Sequence, residues 1–276
     1  MDIGCGRANA IKILCNLLLV AIRQTNIKLY LINIKGGQAY SAIPCEAEAK
    51  ICIPKENAQD FDELVGQCND AITAQYSATD PDVKVTTEPA VWHASVINEE
   101  GTHLILASVN GIPAGPVTMR PDGGVQTSNN IGIIDTEGSG FKVQGSKVQG
   151  AQCSISSHTR SFSSQAMDKL ADNISKIFTL TGAEVETIMH VSPWEEDLHH
   201  PWVQQVMNTF NDVLNFSPTP VSMHFALEAG YFVEKFPGIH IASIGPRIMY
   251  PHSPNEKVSL TTADNIWHVV REICKD

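Results

Sequence analysis

A chain of 276 residues with 43% hydrophobic and 18% charged side chains has the size and composition of one large globular domain or two ordinary ones. Its formal net charge of −11 would repel nucleic-acid phosphates and anionic membrane surfaces, which argues against both as partners. Seven cysteines, an odd number with no Cys-x-x-Cys pair, argue against a disulfide framework or a zinc knuckle and for a reducing, cytoplasmic setting.

The sequence predicts a helix from about Arg7 to Gln24, because Ile11, Leu14, Leu18 and Ile22 recur at helical spacing. Its apolar run, Ile13 to Ile22, looks like a signal-peptide core. It is interrupted by Asn16, precedes no small-x-small site and falls short of the roughly 20 residues of a membrane span. A strand over Ile27–Ile34 follows, ended by Gly36-Gly37, and then a strand over Glu46–Ile53 with one wet face. A second helix covers Asn57–Tyr76 with Phe61, Leu64, Cys68 and Ile72 on one side. Lys84–Thr86 and Val91–His93 read as extended segments, and Thr102–Val109 as a short helix. After a turn at Gly123-Gly124, strands are expected at Ile131–Ile134, Phe141–Gln144 and Gln152–Ser156. Ser161 is read as the cap of a long helix that Gly182 stops. This first part predicts an α+β domain, an antiparallel sheet with helices on one face.

Beyond Gly182 the texture is α/β. Strand candidates at Val185–Val191, Val221–His224 and Ile239–Ile244 alternate with helices at Val203–Leu214, Ala226–Phe236 and a final one capped by Thr262. So few strands would leave open edges, so the segment reads as part of a larger sheet.

Most of the ten histidines lie within predicted elements; His199-His200 sits in the polar Glu195-Glu196-Asp197 stretch, whose acid/His mixture could bind metal but reads first as a solvated helix start. His252 differs. It follows the Ile239–Ile244 strand and a Gly-Pro turn, between Pro251 and Pro254, where an open α/β sheet places a ligand-binding side chain. His224 ends a predicted strand, and Glu228 follows where both could face one cleft. Arg160 can take a carboxylate in bidentate fashion, although a surface arginine is the default reading there. Asn130, in Thr127-Ser128-Asn129-Asn130, looks by itself like turn chemistry.

Five pieces occur in order: Gly6-Arg7-Ala8-Asn9-Ala10-Ile11-Lys12, Ala42-Ile43-Pro44-Cys45-Glu46-Ala47, Leu227-Glu228-Ala229-Gly230, Ser243-Ile244-Gly245-Pro246, and His252-Ser253-Pro254-Asn255-Glu256. Together they resemble the aminoacyl-histidine dipeptidases, carnosinase-like enzymes of the co-catalytic zinc peptidase group. The resemblance implies a lid and dimerisation domain over residues 1–185 and the last part of a catalytic α/β domain over 186–276. It implies two zinc ions in a complete enzyme, His252 as the last zinc ligand, Arg160 as the anchor of the substrate's carboxylate, and a dipeptide of the Xaa-His type as substrate. Asn130 matches a recurrent asparagine. Ser41 stands where the family has a substrate-contacting asparagine, and Glu228 sits beside Ala229, where the family has cysteine.

The family's His-x-Asp pair, bridging Asp, Glu-Glu pair and further Asp ligand lie upstream of the lid, which here would be ahead of Met1. The expectation is a dipeptidase segment that alone neither holds zinc tightly nor cleaves peptides. Two alternatives stand beside it: a non-enzymatic dimerisation or binding module, and one half of a split peptidase.

Overall fold

A computed structural model of the chain describes residues 2–25, 27–91, 96–136, 153–224, 227–250 and 255–275. Two compact units emerge, Met1–Ile188 and Met189–Asp276. Trp92-His93, the Phe141–Gln144 strand, Ala226 and His252 of the sequence reading lie outside the described residues.

In the first unit, α1 (Ala10–Thr25) buries the expected stripe: Ile11 and Leu18 are inaccessible, with Leu14 and Ile22 packed beside them. The Asn9 side chain caps it, its oxygen accepting the Lys12 N–H at 3.0 Å. Then come β1 (Tyr30–Gly36), β2 (Ala47–Cys52), α2 (Ala58–Tyr76), α3 (Glu99–Gly111), β3 (Gly115–Met119), β4 (Val125–Asp135), β5 (Ser154–Ser161) and α4 (Ser164–Leu180). The five strands form one antiparallel sheet with β4 as its spine. On one side β4 pairs with β3 at its start and β1 at its end; on the other it pairs with β5 along nearly its whole length. β2 extends the sheet from β1. Side chains from all four helices join β1 and β4 in a single apolar core.

Several elements differ from expectation for identifiable reasons. β4 begins at Val125 rather than Ile131, and β3 was not anticipated. The polar run Thr127-Ser128-Asn129-Asn130 is buried strand because partners inside the protein replace water. Thr127 meets the Ser161 hydroxyl at 2.9 Å, and the Asn129 side-chain oxygen accepts the hydroxyls of Ser157 (2.8 Å) and Thr159 (2.9 Å). Lys84–Thr86 forms no strand. The Asn69 carboxamide bonds both the N–H and the carbonyl of Val85 at 2.7 Å, doing the work of a neighbouring strand. The cap of α4 is Ser163, whose hydroxyl accepts the Ala166 N–H, while Ser161 closes β5.

One polar contact ties helix to helix. The Lys12 ammonium donates to the carbonyls of Val109, Asn110 and Ile112 at 2.9, 2.8 and 2.7 Å, satisfying the end of α3 with all three of its protons. Burial lowers its pKa from the ordinary lysine value.

The second unit contains α5 (Pro201–Leu214), α6 (Ala229–Lys235), a ribbon of β6 (Ile248–Met249) and β7 (Lys257–Val258), and α7 (Leu260–Ile273). α5 and α7 close a small core on Val206, Phe210 and Val269. Ser259, not Thr262, caps α7, accepting the Thr262 N–H. The three expected strands at Val185–Val191, Val221–His224 and Ile239–Ile244 join no ladder among the described residues. A strand exists only through a ladder of hydrogen bonds to a neighbouring strand, and among the described residues these segments have no such neighbour. Ile188, Met189, Val221 and Ile239 are exposed as a result.

Replacing Lys12 with methionine keeps the aliphatic stem and removes the charge. The first unit should lose about 1.5–3 kcal/mol, the worth of a hydrogen bond to a charged group, in urea unfolding monitored by circular dichroism.

Candidate functional site

In the β4–β5 register Asn130 faces His158 and Ser128 faces Arg160, so these four residues share one face of the sheet. The Gly37–Glu46 segment crosses that face. Asn130 holds it there, its amide donating to the carbonyls of Tyr40 at 3.1 Å and Ala42 at 2.6 Å. The Asn130 oxygen in turn accepts from the Asn9 amide at 3.3 Å, and that amide also reaches the Ile131 carbonyl at 2.9 Å. The Ala10 N–H fixes the far end through the Pro44 carbonyl at 3.0 Å. The crossing is so close that a Cβ on Gly37 would strike the Gly132 carbonyl, and one on Gly132 would strike the Tyr40 backbone. Gly37 also has φ +73°, which an L side chain rarely adopts.

This clamp sets Ser41, partly exposed, between two anchored carbonyls. The neighbouring Tyr40 ring meets the His158 ring edge-on, centroids 5.4 Å apart. Burial, and then the Arg160 charge, press the His158 pKa from 6.5 down to about 4, so this imidazole is neutral at pH 7. Burial also lowers the pKa of the Arg160 guanidinium, an effect that Tyr40 opposes. A half-buried guanidinium beside a neutral imidazole, a phenol and a serine can receive a carboxylate. Asn130 does not offer its own amide to such a ligand, since Tyr40 and Ala42 take both protons. It positions the loop instead. The sequence reading gave Tyr40, His158 and Asn9 no role of their own; the strand register reveals His158, and hydrogen bonds and ring contact reveal the other two.

In the second unit Glu228 is exposed at the start of α6 and makes no capping bond. His224 is buried. Gly230 lies against the Ser192 carbonyl, leaving no room for a Cβ. His252 itself is outside the described residues; the chain on either side of it pairs as β6 and β7, and the Ile239–Ile244 segment before it is not the buried strand expected. A second group appears where a solvated helix start was expected. His200 does begin α5, its Nδ1 accepting the Trp202 N–H at 3.2 Å, with Pro201 in the first turn. It also stacks on His240, ring centroids 3.5 Å apart, and His240 Nδ1 lies 3.2 Å from Glu196. Burial raises the Glu196 pKa, but hydrogen bonds from the Ile241 N–H, His240 and the Asp197 N–H outweigh it and leave the carboxyl below its usual value. The acid/His stretch holding Glu196 and His200 is visible in the sequence, but His240, 44 residues from Glu196, is not announced by any local spacing.

Two outcomes test the first surface. Asn130→Ala should cost about 1–3 kcal/mol and speed amide exchange through Tyr40–Ala42, read by hydrogen–deuterium exchange. His158 binds its proton more weakly folded than unfolded, so its contribution to stability is complete above pH 6.5 and is lost as pH falls toward about 4. His158→Gln should flatten the fall in melting temperature between those values.

Comparison with known proteins bears on both units. Residues 6–80 match the model of a peptidase dimerisation domain. Over 277 aligned residues the chain is 24% identical to the cytosol non-specific dipeptidase of Escherichia coli (strain K12), covering all of this chain and 54% of that protein. The crystal structure of aminoacylhistidine dipeptidase from Vibrio alginolyticus superimposes with a TM-score of 0.78 at 25% identity, over 99% of this chain and 53% of that one. The chain thus spans about half the length of the relatives it matches, and the resemblance to aminoacyl-histidine dipeptidases read from its sequence is borne out in both sequence and fold.

Proposed function

We propose that this chain is a segment of a metal-dependent dipeptidase acting on Xaa-His-type dipeptides. Residues 1–185 serve as a lid that pairs with a second copy, and residues 186–276 as the last part of the catalytic domain. The observation that carries this reading is in the second unit. Two strand-type segments there, and a third that straddles its start at Val185–Val191, join no strand ladder among the described residues, and the unit exposes large apolar side chains, Phe232, Phe236, Ile248 and Trp267 among them. Such a surface needs further strands to cover it. The relatives, about twice as long as this chain, are large enough to carry them.

The chain's own residues have limited tasks in this scheme. Arg160 receives the C-terminal carboxylate of the dipeptide, Ser41 offers a hydrogen bond beside it, and Asn130 fixes the loop bearing Ser41. In the second unit Glu228 is the proposed substrate contact, and His252 the proposed ligand of a zinc ion. The donor set here does not fit a two-zinc centre. No His-x-Asp pair occurs in the sequence, and among the described residues the one cluster of three donors is enough for a single ion. Hydrolysis therefore cannot be assigned to groups of this chain. Its place of action is proposed to be the cytoplasm, in keeping with the cysteine pattern and the name of the Escherichia coli relative. No helix among the described residues is long and apolar enough to cross a membrane.

A split peptidase is the second reading, favoured by the same unpaired segments, since a separate polypeptide could supply the strands. The purified chain should sediment as a dimer and release no histidine from Xaa-His dipeptides with added zinc. Activity should appear only with a polypeptide carrying the other half of a relative. Stoichiometric zinc together with dipeptide hydrolysis by this chain alone would refute the proposal.

A further inference from the structure

The cluster of Glu196, His200 and His240 is not used by the surface around Asn130. One donor atom from each lies within 4.8 Å of the others. The three residues come from the segment before α5, from the cap of α5 and from the segment after α6. We propose that they bind one divalent transition-metal ion, for which zinc is the probe.

Two imidazoles and a carboxylate are a donor set suited to zinc, with a fourth position left for water. The carboxylate is prepared for the task. The Ile241 N–H fixes Glu196 Oε2 at 2.9 Å, Oε1 turns toward His240, and the low pKa keeps the group charged. The two rings lie almost parallel, 15° apart with centroids 3.5 Å from each other, so two imidazole donors already share one spot. Binding carries two structural consequences. The rings must turn so that both lone pairs converge on the ion. A metal on His200 Nε2 also moves the ring proton to Nδ1, which then releases the Trp202 N–H. The bound ion would clip Glu196 and His200 to His240, joining two segments between which no strand ladder runs among the described residues.

The test uses the full chain, freed of metal by a chelator, at pH 7. Zinc is titrated against a chromophoric chelator, and the imidazole 15N signals and the Trp202 amide are followed by NMR. The expected result is one zinc that shifts the His200, His240 and Trp202 signals and raises the melting temperature. His200→Gln combined with His240→Gln should weaken that binding by about tenfold or more. Zinc that leaves those three signals in place, or a double variant that binds as the parent does, overturns the site. If the double variant does not fold, the signals of the parent chain decide.

Discussion

The arrangement of the first unit depends on two asparagine side chains that act in series. Asn9 caps α1 with its oxygen and reaches β4 with its amide. Asn130 accepts from Asn9 and passes the connection to the loop above the sheet. A helix start, the spine strand and the loop bearing Ser41 thus share one chain of hydrogen bonds. Within a buried setting such bonds have no water to compete with them, and a half-satisfied member would cost more than it contributes. Helix position and loop position are therefore coupled: displacing one element leaves polar atoms of the other unmatched.

The chemistry of that surface follows from the same clamp. His158 is neutral because it is buried next to Arg160, and it is buried partly because Tyr40 lies across it. Tyr40 lies there because its carbonyl is held by Asn130. A single positive charge is left in place, in a chain whose overall balance is strongly negative. The second unit has no comparable organisation. Among the described residues its core is small, and its extended segments pack Ala242 and Ile244 on that core but leave Met189, Val221 and Ile239 exposed.

Helices were legible in the sequence because their information is local. The α1 stripe, the α2 face and the Gly182 stop were each written within a few residues of one another, and the structure has them where expected. Caps were misplaced by two or three residues, since neighbouring hydroxyls such as Ser161 and Ser163 compete for the same role and only tertiary pairing decides. The polar half of β4 was illegible for a deeper reason. Its side chains are satisfied by residues some 30 positions away, so nothing adjacent marks them as buried. The candidate site divided in the same way. Arg160 and Ser41 could be named through resemblance and the acid/His stretch of Glu196 and His200 through composition, whereas Tyr40, His158 and the contribution of His240 exist only once the chain is folded.

The crossing of Gly37 and Gly132 bears on how sequences of this kind are to be compared. Two backbones meet there with no space for a methyl group, and the requirement is purely steric. Selection for folding alone would keep both glycines in a descendant that had lost every enzymatic duty. Their persistence in a set of related proteins would thus be silent about catalysis. Drift at Arg160 and Ser41 with the glycines intact would instead be the mark of a scaffold that has outlived its reaction.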